Sequence, residues 1–379
     1  MERRKKPVWK MSMKSIGNCS ATLNLTLVSK QTLMVVIFHD TTFEDSGMVR
    51  FSTNLGARYA GLEVLFNRNA PIDDQDLVTV KPGESFSTEL DLCDLISFPK
   101  AATYRVRAHL RLYSFAAGFT GTKTIKRSKK VTISSNVIGV KLAGPSSPRN
   151  IDEEKFPIAE KQSAFLQCKA QEADQINAAR EIAIAGSKES ANVVEESPST
   201  ETYLGQPQTE LPSDDEIATW AKSSGIYWVE VPEPDSIANN FESLNGDAEK
   251  ALRSNTDMKS IYNSISKALA SRRMRFLCDK PKTQGGKCPS SSVVAFVYPG
   301  SIKNKIIHLC GAFWRAPENM QTDSKPGTLI HEASHFYDVG NTKDWVYGTS
   351  DVLAVAKEAP ILARWNADNV EQFAENLDE

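Results

Sequence analysis

The sequence predicts a multidomain chain: an N-terminal all-β, immunoglobulin-like sandwich, then a mainly helical α+β domain. Three observations carry this. Tyr104–Leu112 alternates apolar and polar residues almost without a break, which gives a strand one buried face and one wet face. The run Gly144-Pro145-Ser146-Ser147-Pro148 then breaks the pattern as a linker would. Beyond it the apolar spacing becomes helical, most clearly at Met258, Ile261, Tyr262, Ile265 and Leu269. At 379 residues there is room for two domains of ordinary size, expected at 1–150 and 151–379.

Strand by strand, the first domain reads as follows. Leu23, Leu25 and Leu27 alternate with polar neighbours, and Leu33–Phe38 is an apolar run rich in β-branched residues. Met48–Phe51, Leu62–Phe66 and Val78–Val80 follow, the last feeding the tight turn Lys81-Pro82-Gly83-Glu84. Val131–Ile133 and Val137–Val140 close the set. Six to eight short strands with frequent turns suggest the sandwich. His39 and His109 stand alone there and read as surface or packing histidines. The basic start (Arg3, Arg4, Lys5, Lys6, Lys10) lacks a following apolar stretch, so a charged disordered tail is expected rather than a signal peptide.

In the second half, Ala164, Ala170, Ile176, Ala179, Ile182 and Ile184 mark a helical region starting near Glu160. Residues 187–215, rich in Ser, Glu, Thr and Pro, are expected to form a mobile surface insertion. Val293–Tyr298 and Ile306–Leu309 read as short buried strands, with His308 a satisfied core histidine. Thr322-Asp323-Ser324-Lys325-Pro326 is a helix start, with Asp323 or Ser324 as cap and Pro326 in the first turn. That helix should end near Asp338–Gly340, where glycine permits a left-handed turn. A further helix begins near Ser350.

A net charge of −2 gives no reason to expect nucleic acid as a partner, and Leu33–Phe38, the longest apolar run, is too short to span a bilayer. The six cysteines contain no C-x-x-C pair, which argues against a cysteine zinc site. Their even number permits disulfides and hence an oxidising compartment, whereas the lack of a recognisable signal peptide points the other way.

The chemistry concentrates in His331-Glu332-Ala333-Ser334-His335. On a helix, histidines four residues apart project from one face and can fill two corners of a zinc tetrahedron, with Glu332 in reach of a water on the metal. A catalytic zinc needs a third protein ligand and an open position. None of the five histidines follows His335, so a downstream carboxylate must serve. Asp344 lies nine residues beyond His335, across the Gly340-Asn341 turn. Asp338 competes, but on the same helix end its reach is poor.

Gly340-Asn341-Thr342-Lys343-Asp344-Trp345-Val346-Tyr347-Gly348 resembles the G-T-x-D-x-x-Y-G signature of the aspzincin (deuterolysin-like) metalloendopeptidases, with Asn341 as one extra residue. Leu309–Pro317 and Asn366-Ala367-Asp368-Asn369 are similar to the peptidyl-Lys metalloendopeptidases of that family. The strong match spans about 288–379 and weakens toward 160, and the β domain more loosely resembles the propeptide-like domain preceding such proteases. The resemblance implies a zincin-type peptidase domain with one Zn2+ on His331, His335 and Asp344. It implies Glu332 as general base and then proton donor, and the Tyr347 hydroxyl on the oxyanion. Asp368 and Glu371 would line a pocket for a lysine after the scissile bond. Cys168–Cys278 and Cys288–Cys310 would be disulfides, with Cys19 and Cys93 unassigned. The family is generally secreted.

The expected activity is therefore endopeptidase cleavage on the amino side of lysine in proteins or peptides. The β domain would act as a propeptide-like or targeting domain, the former in cis, and Lys155 and Lys161 near the linker are the right residue type for self-cleavage. Two alternatives stay open: an aspzincin of broader or single-target specificity acting as a secreted effector, and a binding protein with a structural zinc site.

Overall fold

The computed structural model describes residues 9–146, 164–209 and 253–377, apart from 18, 37–48, 54, 56, 60–62, 67–71, 73–76, 118, 124–128, 281–285, 287, 289–291 and 301–304. His39, Lys155 and Lys161 lie outside the described residues, as do 210–215. The strands, in chain order, are β1 (Trp9–Ser15), β2 (Ser20–Leu27), β3 (Leu33–Val36), β4 (Val49–Thr53), β5 (Arg58–Tyr59), β6 (Glu63–Phe66), β7 (Leu77–Val80) and β8 (Ser85–Asp91). After them come β9 (Ile96–Ser97), β10 (Ala102–Ala116), β11 (Lys129–Ser134), β12 (Ile138–Leu142), β13 (Phe165–Leu166), β14 (Met274–Cys278), β15 (Val293–Val297) and β16 (Lys305–Leu309). The helices are α1 (Leu92–Leu95), α2 (Ala170–Val193), α3 (Pro198–Leu204), α4 (Asn255–Ala270), α5 (Lys325–His335), α6 (Thr349–Glu358), α7 (Pro360–Ala363) and α8 (Ala367–Glu375). No described helix is long and apolar enough to cross a membrane.

The strand-rich N-terminal region and the later mixed helical region agree with the multidomain reading. A three-stranded sheet, β1-β2-β8, and a six-stranded sheet built on β10 share one apolar core. The alternation seen in the sequence is realised: Tyr104, Val106, Ala108, Leu110 and Leu112 are all fully buried. Tyr104 also closes a loop by donating its hydroxyl to Lys100 O at 2.7 Å. His109 is buried and bonds Ser134 Oγ through Nδ1 at 2.9 Å, a packing histidine. A disulfide joins Cys19 to Cys93 in this region. Part of the expected basic tail is ordered: Trp9–Ser15 is β1, paired with β2, and its Trp9, Met11 and Met13 enter the core. One alternate face of three apolar residues outweighs the intervening charges.

The second core lies between a five-stranded sheet and the helices. The sheet order is β13-β14-β16-β15-β6, with β13, β14 and β16 parallel and β15 and β6 antiparallel to their neighbours. Here β6 departs from expectation: it joins this sheet, not the N-terminal ones, and Leu65 is buried in the helical core. The helix expected from Glu160 begins at Ala170, because Phe165–Leu166 extends the sheet beside β14. The expected mobile insertion at 187–215 is also corrected over its described part. Ser187–Val193 completes α2 and Pro198–Leu204 forms α3, capped by Ser197, with Ser187, Ser190, Thr200 and Tyr203 buried. Small serines in a helix pack closely against a neighbour and return their hydroxyls to the carbonyl one turn back, as Ser187 does to Ala183 O at 2.8 Å. A composition rich in serine therefore conceals a buried helix. The stripe on α4 is buried as expected, and α2 packs along it.

Cys168–Cys278 and Cys288–Cys310 are both bonded. His308 is a core histidine: its ring stacks on Phe296 at 4.3 Å and its Nδ1 lies 3.0 Å from Asp279 Oδ2. β15 stands between the two cores, with Val294, Ala295 and Val297 facing the helices and Val293 and Phe296 facing the β module.

Candidate metal centre

Helix α5 carries the H-E-x-x-H motif in full burial. Ser324 caps it, accepting from Gly327 N at 2.9 Å, and Pro326 sits in the first turn where no amide is needed. The Ser324 hydroxyl in turn donates to Glu375 Oε1 on α8 at 2.7 Å. A bare Gly327 lets α8 approach, since a Cβ there would fall 2.0 Å from a Glu375 oxygen.

The helix stops at His335, three residues short of the expected Asp338. The amides of Val339, Gly340 and Asn341 all turn back onto Phe336 O. The left-handed residue of this turn is Asn341, at φ 50°, not Gly340. Gly340 is needed for another reason: a Cβ would lie 2.5 Å from Ser334 O. Asp338 is diverted to an ion pair with Lys305 at 2.7 Å.

The returning segment is strapped to the start of α8. Lys343 and Asn366 form a parallel bridge, Asn366 Oδ1 accepts from the amides of Trp345 and Val346, and Asp368 Oδ2 accepts from Gly348 N at 2.6 Å. Arg253, buried and lying 3.3 Å over the Trp365 ring, donates to Gly340 O and Arg364 O. These ties bring Asp344 back to α5. Its Oδ1 lies 3.0 Å from His331 Nε2 and 3.3 Å from His335 Nε2.

The donor set fits a zinc ion. Each histidine has its Nδ1 committed, His331 to Glu371 Oε2 at 2.9 Å and His335 to Thr342 O at 3.0 Å. With Nδ1–H donating, Nε2 is the atom of each ring turned toward Asp344 and the one that would bind a metal. Both Nε2 atoms and one Asp344 oxygen converge in a fully buried site, and His335 Nε2 has no hydrogen-bond partner among the described residues. Two imidazoles and one carboxylate supply three ligands and leave a fourth position open. Glu332 is buried beside them, and Tyr347 stacks on the His331 ring at 6.2 Å.

Electrostatics tighten the arrangement. Burial alone would lower the His331 pKa, but Asp344 and Glu371 outweigh it and hold it well above the usual value. Burial would raise Asp344, and His335 with His331 pulls it well below. On α8, burial and the nearby Glu371 push Asp368 up to about 8, and burial and Glu371 push Glu375 up to about 9. Asp368, Glu371 and Glu375 share one face of α8 and are all buried. The role of Glu371 as acceptor for His331, and of Asn366 and Arg253 as supports, was not foreseen. Asn366 sat within a recognised segment, whereas Arg253 is one of 45 basic residues with no local signal.

Residues 247–375 match a family described as Lysine-specific metallo-endopeptidase, the aspzincins. Over 89 residues the chain is 46% identical to a peptidyl-Lys metalloendopeptidase of Grifola frondosa, covering 24% of this chain and 25% of that protein. It therefore spans about a quarter of the length of that relative. An extracellular protease of Aeromonas hydrophila is 27% identical over 312 residues, 82% of this chain and 75% of its own. A solved zinc peptidase from Grifola frondosa aligns at 25% identity and TM-score 0.37, covering 55% of this chain and 97% of that one. The matched stretch, residues 247–375, holds the two histidines, Asp344 and α8, and is similar to the aspzincin metallo-endopeptidases.

Proposed function

We propose that the protein is a zinc-dependent endopeptidase that hydrolyses peptide bonds on the amino side of lysine. The observation that carries this reading is the convergence of His331 Nε2, His335 Nε2 and Asp344 Oδ1 in one buried cluster. One Zn2+ per chain would be held there. When bound, it supplies Lewis acidity that makes water a nucleophile near neutral pH. Glu332, next to the first ligand, takes the proton from the attacking water and returns it to the leaving amine. The Tyr347 hydroxyl donates to the oxyanion as it develops, a contribution on the order of 3 kcal/mol.

The lysine preference is assigned to Asp368 and Glu371. Burial disfavours both charged forms, with Glu371 adding to it at Asp368 and Asp323 and Asp344 adding to it at Glu371; an ammonium group brought beside them would favour the charged forms and offset that cost. The peptidyl-Lys name of the Grifola relative supports the assignment. The N-terminal part, 1–150, is read as an immunoglobulin-like, propeptide-like module, and 151–379 as the zincin-type peptidase. The Aeromonas relative, named an extracellular protease and aligned over most of this chain, supports secretion.

The test is Glu332→Gln with the zinc-loaded full chain. The variant should keep its zinc and lose cleavage of a lysine-containing peptide by at least about 100-fold; full turnover would defeat the mechanism. Digestion of a denatured protein mixture should place lysine after each cut. A spread of residues there would favour the broader-specificity alternative.

A further inference from the structure

The five-stranded sheet draws four strands from residues 165–309 and its last strand, β6, from residues 63–66. Without β6, β15 would be an edge strand with a row of unpaired N–H and C=O groups. That edge lies beside the metal helix: α5 packs against both β15 and β6. The direction is also fixed. Tyr337 N, just past His335, donates to Pro299 O, just past β15, so β15 ends where the histidine end of α5 lies. β6 runs antiparallel, with Glu63 opposite Val297 and Phe66 opposite Val293. Its first residue therefore sits at the metal end. The pairing is short and its register slips between Val293 and Ala295, so β6 is held less firmly than a regular strand of equal length.

Sheet edges bind extended peptides through main-chain hydrogen bonds. We infer that β6 is an intramolecular occupant of a peptide-binding edge on β15, paired there as an extended substrate segment would be, and that it excludes peptides until displaced. This rests on the peptidase reading above and assigns a defined strand, rather than the β module at large, as the inhibitory contact.

Val64→Pro removes a backbone N–H from a residue paired with Phe296. A fluorescein-labelled peptide centred on Glu63–Phe66 is titrated by anisotropy against zinc-loaded full-length wild type and V64P. An edge open about a tenth of the time weakens apparent affinity about tenfold, so V64P should bind the peptide at least about tenfold more tightly. Its kcat/KM on a lysine peptide should rise by a similar factor. Equal affinity, with wild-type melting and zinc content in V64P, overturns the proposal. Binding needs no turnover, so tight binding by a variant that hydrolyses nothing upholds the strand assignment and defeats the peptidase reading. Should V64P fail to fold, hydrogen exchange on wild type decides. Excess peptide should deprotect 63–66 while 293–297 stays protected; any other pattern overturns the proposal.

Discussion

Replacing Glu371 with Gln should weaken zinc binding while leaving the fold intact. Glu371 Oε2 accepts the Nδ1–H of His331 at 2.9 Å, and both residues are buried. The carboxylate fixes the ring's tautomer and raises the basicity of Nε2. The amide keeps an acceptor of the same shape but loses the charge. Charge-assisted bonds contribute about 1.5–3 kcal/mol against about 1 for neutral ones. Partners of this kind typically account for 10- to 100-fold in metal affinity. A rise in zinc Kd of about tenfold, or roughly 1.4 kcal/mol, is therefore expected. Asp368→Asn is the control on the same helix face. Its closest oxygen is 4.0 Å from His331 Nδ1, and its other oxygen is held by Gly348 N and Gln372 Nε2. It should shift the zinc Kd by less than about threefold. Competition with a chromophoric chelator at fixed pH reads both values, and melting curves check the fold. An unchanged Kd in E371Q, or equal losses in both variants, would refute the orienting role.

Three further outcomes are expected. Burial, with Arg107 adding to it, pushes His109 down to about 4; the unfolded chain takes up its proton near 6.5, so stability should fall as pH drops from 6.5 through 4, by about 3 kcal/mol at most. In urea unfolding, His109→Gln should flatten that slope, and an unchanged slope would refute it. Gly340→Ala places a methyl against Ser334 O; a loss on the order of 2 kcal/mol with weakened zinc binding is expected from denaturation and chelator titration. Ser324→Ala removes the cap of α5 and a donor to Glu375; the midpoint of thermal unfolding should drop by the equivalent of about 1–2 kcal/mol.

What could be read in the sequence was local. The alternation from Tyr104 to Leu112, the stripe on α4 and the Ser324 cap each encode their structure within a dozen residues, and each appears as expected. The convergence of His331, His335 and Asp344 was legible because the two histidines lie on one helix turn and Asp344 only one reversal away. Long-range pairing was not. Nothing in Glu63–Phe66 distinguishes a strand of the N-terminal sheets from one that crosses to β15. The burial of Ser187 and Ser190 depends on neighbours, not on their polarity. Gly340 was expected to take the left-handed turn, but Asn341 takes it, and Gly340 is needed for its close approach to Ser334 O. Glu371 carries no mark that says it faces a histidine on another helix.

The position of β15 between two cores bears on what a proteolytic nick could achieve. Val293 and Phe296 are anchored in the β module, while Val294, Ala295 and Val297 belong to the helical side. A cut anywhere between residues 147 and 163 would sever the chain but leave this seam closed. The products would stay together as a two-chain particle, and separation would have to strip an apolar sheet face bare to water. Cleavage and release are then distinct events, and the length of the delay between them is set by the seam rather than by the scissile bond.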